Sequence, residues 1–152
     1  MMHSSFEVPD LHRVHPCRMI QSPGMAKDFD RWNEKKKDVD AKLSAPFYHE
    51  REIWWCALGV NVGSEEDGSS EEYRRPVVVL KGFSRDTCLV VPLTTSTRHH
   101  PLRPSVGLID GKEAHALLSQ LRTVDTKRFV RKIGMLDANV FAEIRKTARG
   151  ML

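Results

Sequence analysis

No stretch of this 152-residue sequence approaches the roughly 20 consecutive apolar residues needed to cross a bilayer. The N-terminus has no basic segment leading into an apolar one, so a secretory leader is not expected. Cysteine is scarce. Cys17, Cys56 and Cys88 are an odd set without Cys-x-x-Cys spacing, which argues against a disulfide framework and suits reduced thiols in a cytoplasm. There is no Gly-x-x-x-x-Gly-Lys-Ser/Thr loop to cradle a nucleotide's phosphates. Metal-ligating residues do not gather either. His12, His15 and Cys17 lie near prolines with no matching second cluster, and the adjacent His99 and His100 are poorly spaced to chelate one ion. A soluble, cytoplasmic protein needing no metal and no cofactor is expected.

What the chain does have is a hydrophobic content of 40%, enough for a real core, and an uneven distribution of charge. The net charge of +4 is compatible with nucleic acid without demanding it. The loop from Ser64 to Glu72 carries Glu65, Glu66, Asp67, Glu71 and Glu72, whereas the chain after Leu121 is basic, with Arg122, Lys127, Arg128, Arg131 and Lys132 among others. Residues 1–24 lack periodicity and contain three prolines, as expected of a mobile tail, and Met25 is a candidate for the true translation start, with the preceding segment an upstream extension. Residues 25–46 read as a helical extension. Phe29, Trp32, Val39 and Leu43 fall near one face of a helix from Ala26 to Leu43, interrupted by Lys36, so the helix is expected to dock by its ends.

Residues 47–152 read as the main domain. Ile53 to Leu58, Pro76 to Leu80, Thr87 to Leu93, Ser105 to Ile109, His115 to Thr123 and Ile133 to Leu136 are strand candidates. The apolar run Val77–Leu80 suggests a strand buried on both faces, with Pro76 at its first residue, and Pro92 suggests a bulge or an edge. Asp125 to Phe129 reads as a short helical turn. Asp137 is a plausible N-cap for a last helix with the stripe Val140, Phe141, Ile144, Ala148, Met151. Short strands with one terminal helix imply an α+β fold, mainly β: a small, partly open barrel with a packed C-terminal helix.

Four segments in order carry a resemblance. They are Glu52-Ile53-Trp54-Trp55; Gly63-Ser64-Glu65 leading to Arg75-Pro76-Val77-Val78-Val79; Val91-Pro92-Leu93-Thr94-Thr95-Ser96; and Gln120-Leu121-Arg122-Thr123-Val124-Asp125, followed by Lys127-Arg128 and Lys132-Ile133-Gly134. Together they resemble the MazF/PemK toxins from about Glu50 to Leu152. The resemblance implies an SH3-like barrel of the kind shared with the CcdB gyrase poisons, usually a homodimer. It implies metal-independent, sequence-specific cleavage of single-stranded RNA, and a cognate antitoxin protein as partner. The gyrase poisons carry a tryptophan near the C-terminus; this chain has none after Trp55. A non-catalytic barrel that binds nucleic acid or a partner is the competing reading.

Cleaving RNA without a metal uses the neighbouring 2′-hydroxyl as nucleophile, so the protein must align it and stabilise charge on the phosphate. Arg75 suits the second task, because a guanidinium is permanently charged and donates two parallel hydrogen bonds to phosphate oxygens; an ion pair with the acidic loop is the alternative. Thr94 stands at the position of the family's catalytic threonine, supported by Thr95 and Ser96; a strand-favouring or turn-forming residue is the alternative. Glu65 matches the family's Gly-x-Glu and is a candidate to accept the 2′-hydroxyl proton or to orient Arg75; a merely solvated side chain is the alternative. Relatives that place a histidine before that glutamate and an acid before the glutamine differ here, where Ser64 and Ser119 stand. The general base is thus unassigned. Ser64, Gln120, Arg122 and Lys127 are the remaining substrate-binding candidates, Arg122 alternatively pairing with Asp125. Trp54 and Trp55 alternate, so one faces the core; the other is a candidate base-stacking surface, although a structural role for both is the favoured reading.

Overall fold

The computed structural model describes residues 26–152. The tail, Met25, Cys17 and the His12–Cys17 cluster lie outside them. The described chain runs α1 (Phe29–Asp40), β1 (Glu52–Ala57), β2 (Arg74–Gly82), β3 (Thr87–Thr94), β4 (Ser105–Ile109), β5 (Lys112–Ala116), β6 (Arg122–Asp125), β7 (Phe129–Met135) and α2 (Ala138–Gly150). Single 3-10 turns at Leu118–Gln120 and Thr126–Arg128 flank β6. The strands form one curled sheet in the order β4-β5-β3-β2-β1-β7, with β6 added against β3. This is the expected α+β architecture, a half-barrel with a helix at each end of the described residues. Among the described residues no helix is long and apolar enough to cross a membrane.

The apolar run of β2 is explained by two cores on opposite sides of the sheet. Val78 and Leu80 pack with Ile53, Val91, Leu93 and the α2 residues Phe141, Ile144 and Ala148. Val77 and Val79 pack with Trp54, Cys56, Val90 and Phe129. A strand that alternates between two cores needs an apolar residue at every position, which is why its pattern is continuous. Trp54 stacks on Phe129 with ring centroids 5.2 Å apart, while Trp55 is half-buried. Asp137 caps α2, accepting hydrogen bonds from the Asn139 and Val140 N–H groups.

Both prolines sit differently from expectation. Pro76 is the third residue of β2, one position outside the β2–β3 ladder that starts at Val77, so its missing donor removes no bond from that ladder. Pro92 makes neither a bulge nor an edge. It lies where β3 changes flanking partner, from β6 (last pair Val90 with Arg122) to β5 (first pair Leu93 with Ala116). A handover between partners is where a strand can spare an N–H. The single strand expected over His115 to Thr123 is instead the end of β5, a 3-10 corner and the start of β6, because both strands pair with β3 and the chain must turn between them. The hairpin joining β4 and β5 turns at Asp110-Gly111, both with positive φ (51° and 77°), the arrangement that an Asp-Gly dipeptide favours.

The first helix is shorter than its apolar spacing suggested. Asp28 caps it by accepting from the Arg31 N–H at 2.9 Å. Leu43 lies beyond the helix and is fully exposed, and Phe29 is about half exposed. Trp32 is the buried anchor, packed with Ala57, Tyr73, Val39 and Val60. The helix therefore docks through one indole in its first turns, not through apolar residues at both ends.

Candidate active site

Arg75 lies near the start of β2, where the loop from Gly59 to Tyr73 rejoins the sheet. Its guanidinium is held on three sides. Nε donates to the Asp67 carbonyl at 2.7 Å, Nη1 donates to the Leu93 carbonyl at 3.0 Å, and Nη2 pairs with Glu66 Oε1 at 2.6 Å. Three of five donors are engaged, leaving two, and the side chain is only 17% exposed. Such a clamp fixes a long side chain that would otherwise lose its rotamer entropy on meeting a ligand. The bond to Leu93 ties Arg75 to the residue next to Thr94.

Arg75 and Thr94 line one cleft of about 250 Å³, together with Trp55, Ser69, Pro76, Thr95 and, from the β4–β5 hairpin, Ile109, Asp110 and Lys112. Thr94 Oγ1 accepts a hydrogen bond from the Ser96 N–H at 3.2 Å. That fixes the hydroxyl's orientation and leaves its proton free to donate towards the cleft. Thr95 is exposed; Ser96 contributes through its backbone.

The other sequence-derived candidates fall in different places. Glu65 does not reach Arg75. Its carboxylate accepts from the Val62 N–H at 3.2 Å on the exposed side of the loop, and Glu66 is the acid against the guanidinium. Gln120 clasps the loop from below: Nε2 donates to the Ser64 carbonyl at 3.3 Å, and Oε1 accepts from the Glu66 N–H at 3.1 Å. Ser64 itself is exposed. Arg122 reaches Asn61 Oδ1 at 3.5 Å and does not pair with Asp125, whose carboxylate accepts from the Lys127 N–H instead. Lys127 lies apart from the cleft and donates to the Asp40 carbonyl at the end of α1.

Several residues of the site carried no recognised signal in the sequence. Glu66 and Asp67 were indistinguishable from their acidic neighbours. Asp110 and Lys112 are brought to the cleft by a hairpin that the Asp-Gly dipeptide announces. Glu52 of the acidic-Ile-Trp segment is no part of the cleft. Its buried carboxylate accepts from the His49 N–H, His49 Nδ1, Trp54 Nε1 and Lys132 Nζ at 2.9–3.2 Å. Burial pushes its pKa up, but the hydrogen bonds from Lys132, His49 and Trp54 more than cancel this and bring it down to about 2. Cys56 and Cys88 are wholly buried, and burial pushes each thiol up to about 12, far from a reactive thiolate. Among the described residues no group of three or more His, Cys, Asp or Glu is placed to hold a metal ion.

The fold matches known structures. MazF from Deinococcus radiodurans superposes with a TM-score of 0.57 at 19% identity, over 70% of this chain and 96% of that one. An endoribonuclease from a mycobacterial species, solved with its cognate antitoxin, superposes at 0.52 with 18% identity, over 71% and 98%. The Mycobacterium tuberculosis toxin MazF-mt6 superposes at 0.50 with 20% identity, over 66% and 97%. No curated protein sequence matches significantly. Residues 49–152, which include both sides of the cleft, match the family model for the PemK-like, MazF-like toxin of type II toxin–antitoxin systems, and the chain belongs to that family.

Proposed function

We propose that the protein is an endoribonuclease toxin that cuts single-stranded RNA at short sequences, without a metal, through attack of the 2′-hydroxyl on the adjacent phosphate. The observation that carries the reading is the convergence of Arg75 and Thr94 on one cleft, with the guanidinium clamped and two of its donors left over. The 2′-oxygen bonds to phosphorus as the bond to the 5′-oxygen breaks, giving a cyclic phosphate and a 5′-hydroxyl. A base takes the 2′ proton and an acid supplies one to the leaving oxygen. Arg75 stabilises charge accumulating on the non-bridging oxygens, and the Thr94 hydroxyl donates to one of them. Trp55, half-buried on the cleft wall, offers a face for a base. Residues 47–152 form the catalytic domain, and residues 25–46 an extension to it.

The partner is a cognate antitoxin that occupies the cleft in place of RNA, and the working form is a homodimer acting in the cytoplasm. Solved relatives include MazE–MazF from Deinococcus radiodurans and the mycobacterial complex. Purified protein is expected to cleave single-stranded RNA in the presence of EDTA. Arg75→Ala should slow cleavage by about 10³-fold or more with the circular dichroism spectrum unchanged. Cleavage indifferent to that substitution removes the proposal. Growth arrest on expression without any RNA cleavage favours the non-catalytic binding barrel instead.

A further inference from the structure

The helix α1 precedes the residues that match the family, yet its contacts converge on the loop that holds Arg75. Lys27, just ahead of the helix, pairs with Asp67 Oδ2 at 2.8 Å and donates to the carbonyls of Asn61 at 2.8 Å and Gly63 at 3.0 Å. Asp67 is the residue whose carbonyl accepts from Arg75 Nε, and its other carboxylate oxygen accepts from the Asn61 N–H at 2.6 Å. One ammonium therefore ties three residues of the loop together around the one that orients the guanidinium. The second hold is at the loop's neck. Trp32 lies against Gly59, where a Cβ would fall inside the indole, and meets Tyr73 edge-on with centroids 5.5 Å apart. Gly59 and Tyr73 are joined by a hydrogen bond from the Gly59 N–H, and the Gly59 carbonyl accepts from Gly68. Arg31 and Lys35 add exposed ion pairs to Glu71 and Glu72.

We infer that this N-terminal extension is a positioning element for the catalytic arginine, with Trp32 as its anchor and Lys27 as the pin that holds the Asp67 carbonyl and, beside it, Glu66 in place. The inference rests on the ribonuclease reading of the cleft. It makes Lys27 and Trp32 residues that act through Arg75, distant from the RNA. The acidic loop acquires a purpose as well: its carboxylates face two sets of cations, Arg75 on the sheet and the basic residues of the extension. Losing the pin leaves the fold intact but frees Arg75 to sample orientations that do not face the phosphate. Small misplacements of a charge-stabilising group cost rate more than binding.

The full-length chain carrying Lys27→Met is the test, with Lys27→Arg as the conservative variant. Hydrogen exchange at the Asn61, Glu66 and Gly68 amides should accelerate by about tenfold in Lys27→Met while the β2 and β3 amides stay protected. The NMR resonance of the Arg75 Nε–H should shift. On a single-stranded RNA oligonucleotide, kcat should fall by about tenfold with KM within about twofold, and Lys27→Arg should restore both the loop protection and kcat. Unchanged loop exchange, or loosened exchange across the whole sheet, overturns the inference; so does a loosened loop with kcat unaffected. If the wild-type protein cleaves no RNA, the ribonuclease reading fails by itself. The exchange and Arg75 resonance measurements, which need no RNA, then decide whether the pin orients Arg75.

Discussion

Replacing Glu52 by glutamine should remove a defined, pH-dependent part of this protein's stability. Its side chain is 4% exposed and accepts four hydrogen bonds, one of them from the Lys132 ammonium at 2.9 Å. Those donors hold the folded carboxyl at about 2, against an ordinary value of 4.5. Because the folded value lies below the unfolded one, the carboxylate's contribution is fully present above the unfolded value and is lost as pH falls towards the folded one. At ~1.36 kcal/mol for each tenfold change in proton affinity, it amounts to about 3 kcal/mol, a sizeable fraction of a small domain's total. Urea unfolding of the wild type and of Glu52→Gln, followed by tryptophan fluorescence from about pH 6 down to about pH 2, measures it. The stability gap between the two proteins should shrink by about 3 kcal/mol across that range, with most of the change below pH 4.5. Lys132 is half exposed and stays solvated in the variant, so the gap should not be inflated by a stranded buried cation. A gap that stays constant with pH would refute the reasoning, for it would mean that glutamine loses packing and hydrogen bonds but no titration.

The remaining expectations concern the cleft and the helix that braces it. Glu66→Gln should lower kcat by about tenfold in single-turnover RNA cleavage by loosening the Arg75 clamp, whereas Glu65→Gln should stay within about twofold because its carboxylate only caps the loop. Thr94→Val should cost about 10²-fold in cleavage rate with the fold retained, and Thr94→Ser should recover most of it, since only the hydroxyl is required. Gly59→Ala should destabilise the protein by about 1–3 kcal/mol and shift tryptophan emission to the red, because the residue has φ near +81° and the added methyl displaces Trp32. An unshifted melting temperature for Gly59→Ala would mean that the helix is not seated on that glycine.

Much of the scaffold was legible in the sequence because local chemistry decides it. The unbroken Val77–Leu80 run demanded burial on both sides, and the two cores supply it. Asp137 followed by an apolar stripe marked the start of α2, and strand alternation put one of the adjacent tryptophans, Trp54, in the core. The four ordered segments were enough to name the family and to pick Arg75 and Thr94, now found on one cleft. Tertiary structure alone decided the rest. Five acids crowd the loop before β2, and no periodicity distinguishes them; the loop's folding turns Glu66 to Arg75 and leaves Glu65 capping a backbone N–H. Pro92 was read as a bulge or an edge because a single strand's sequence does not reveal that its neighbours change beside it. The helix stripe promised docking by its ends, at Phe29 and Leu43, but the helix is seated by Trp32, whose indole lies against Gly59 where a Cβ would clash. Alternation and capping are settled within a few residues of chain, whereas the partner of a charge or an indole is settled by which distant segment the fold brings within a few ångströms of it.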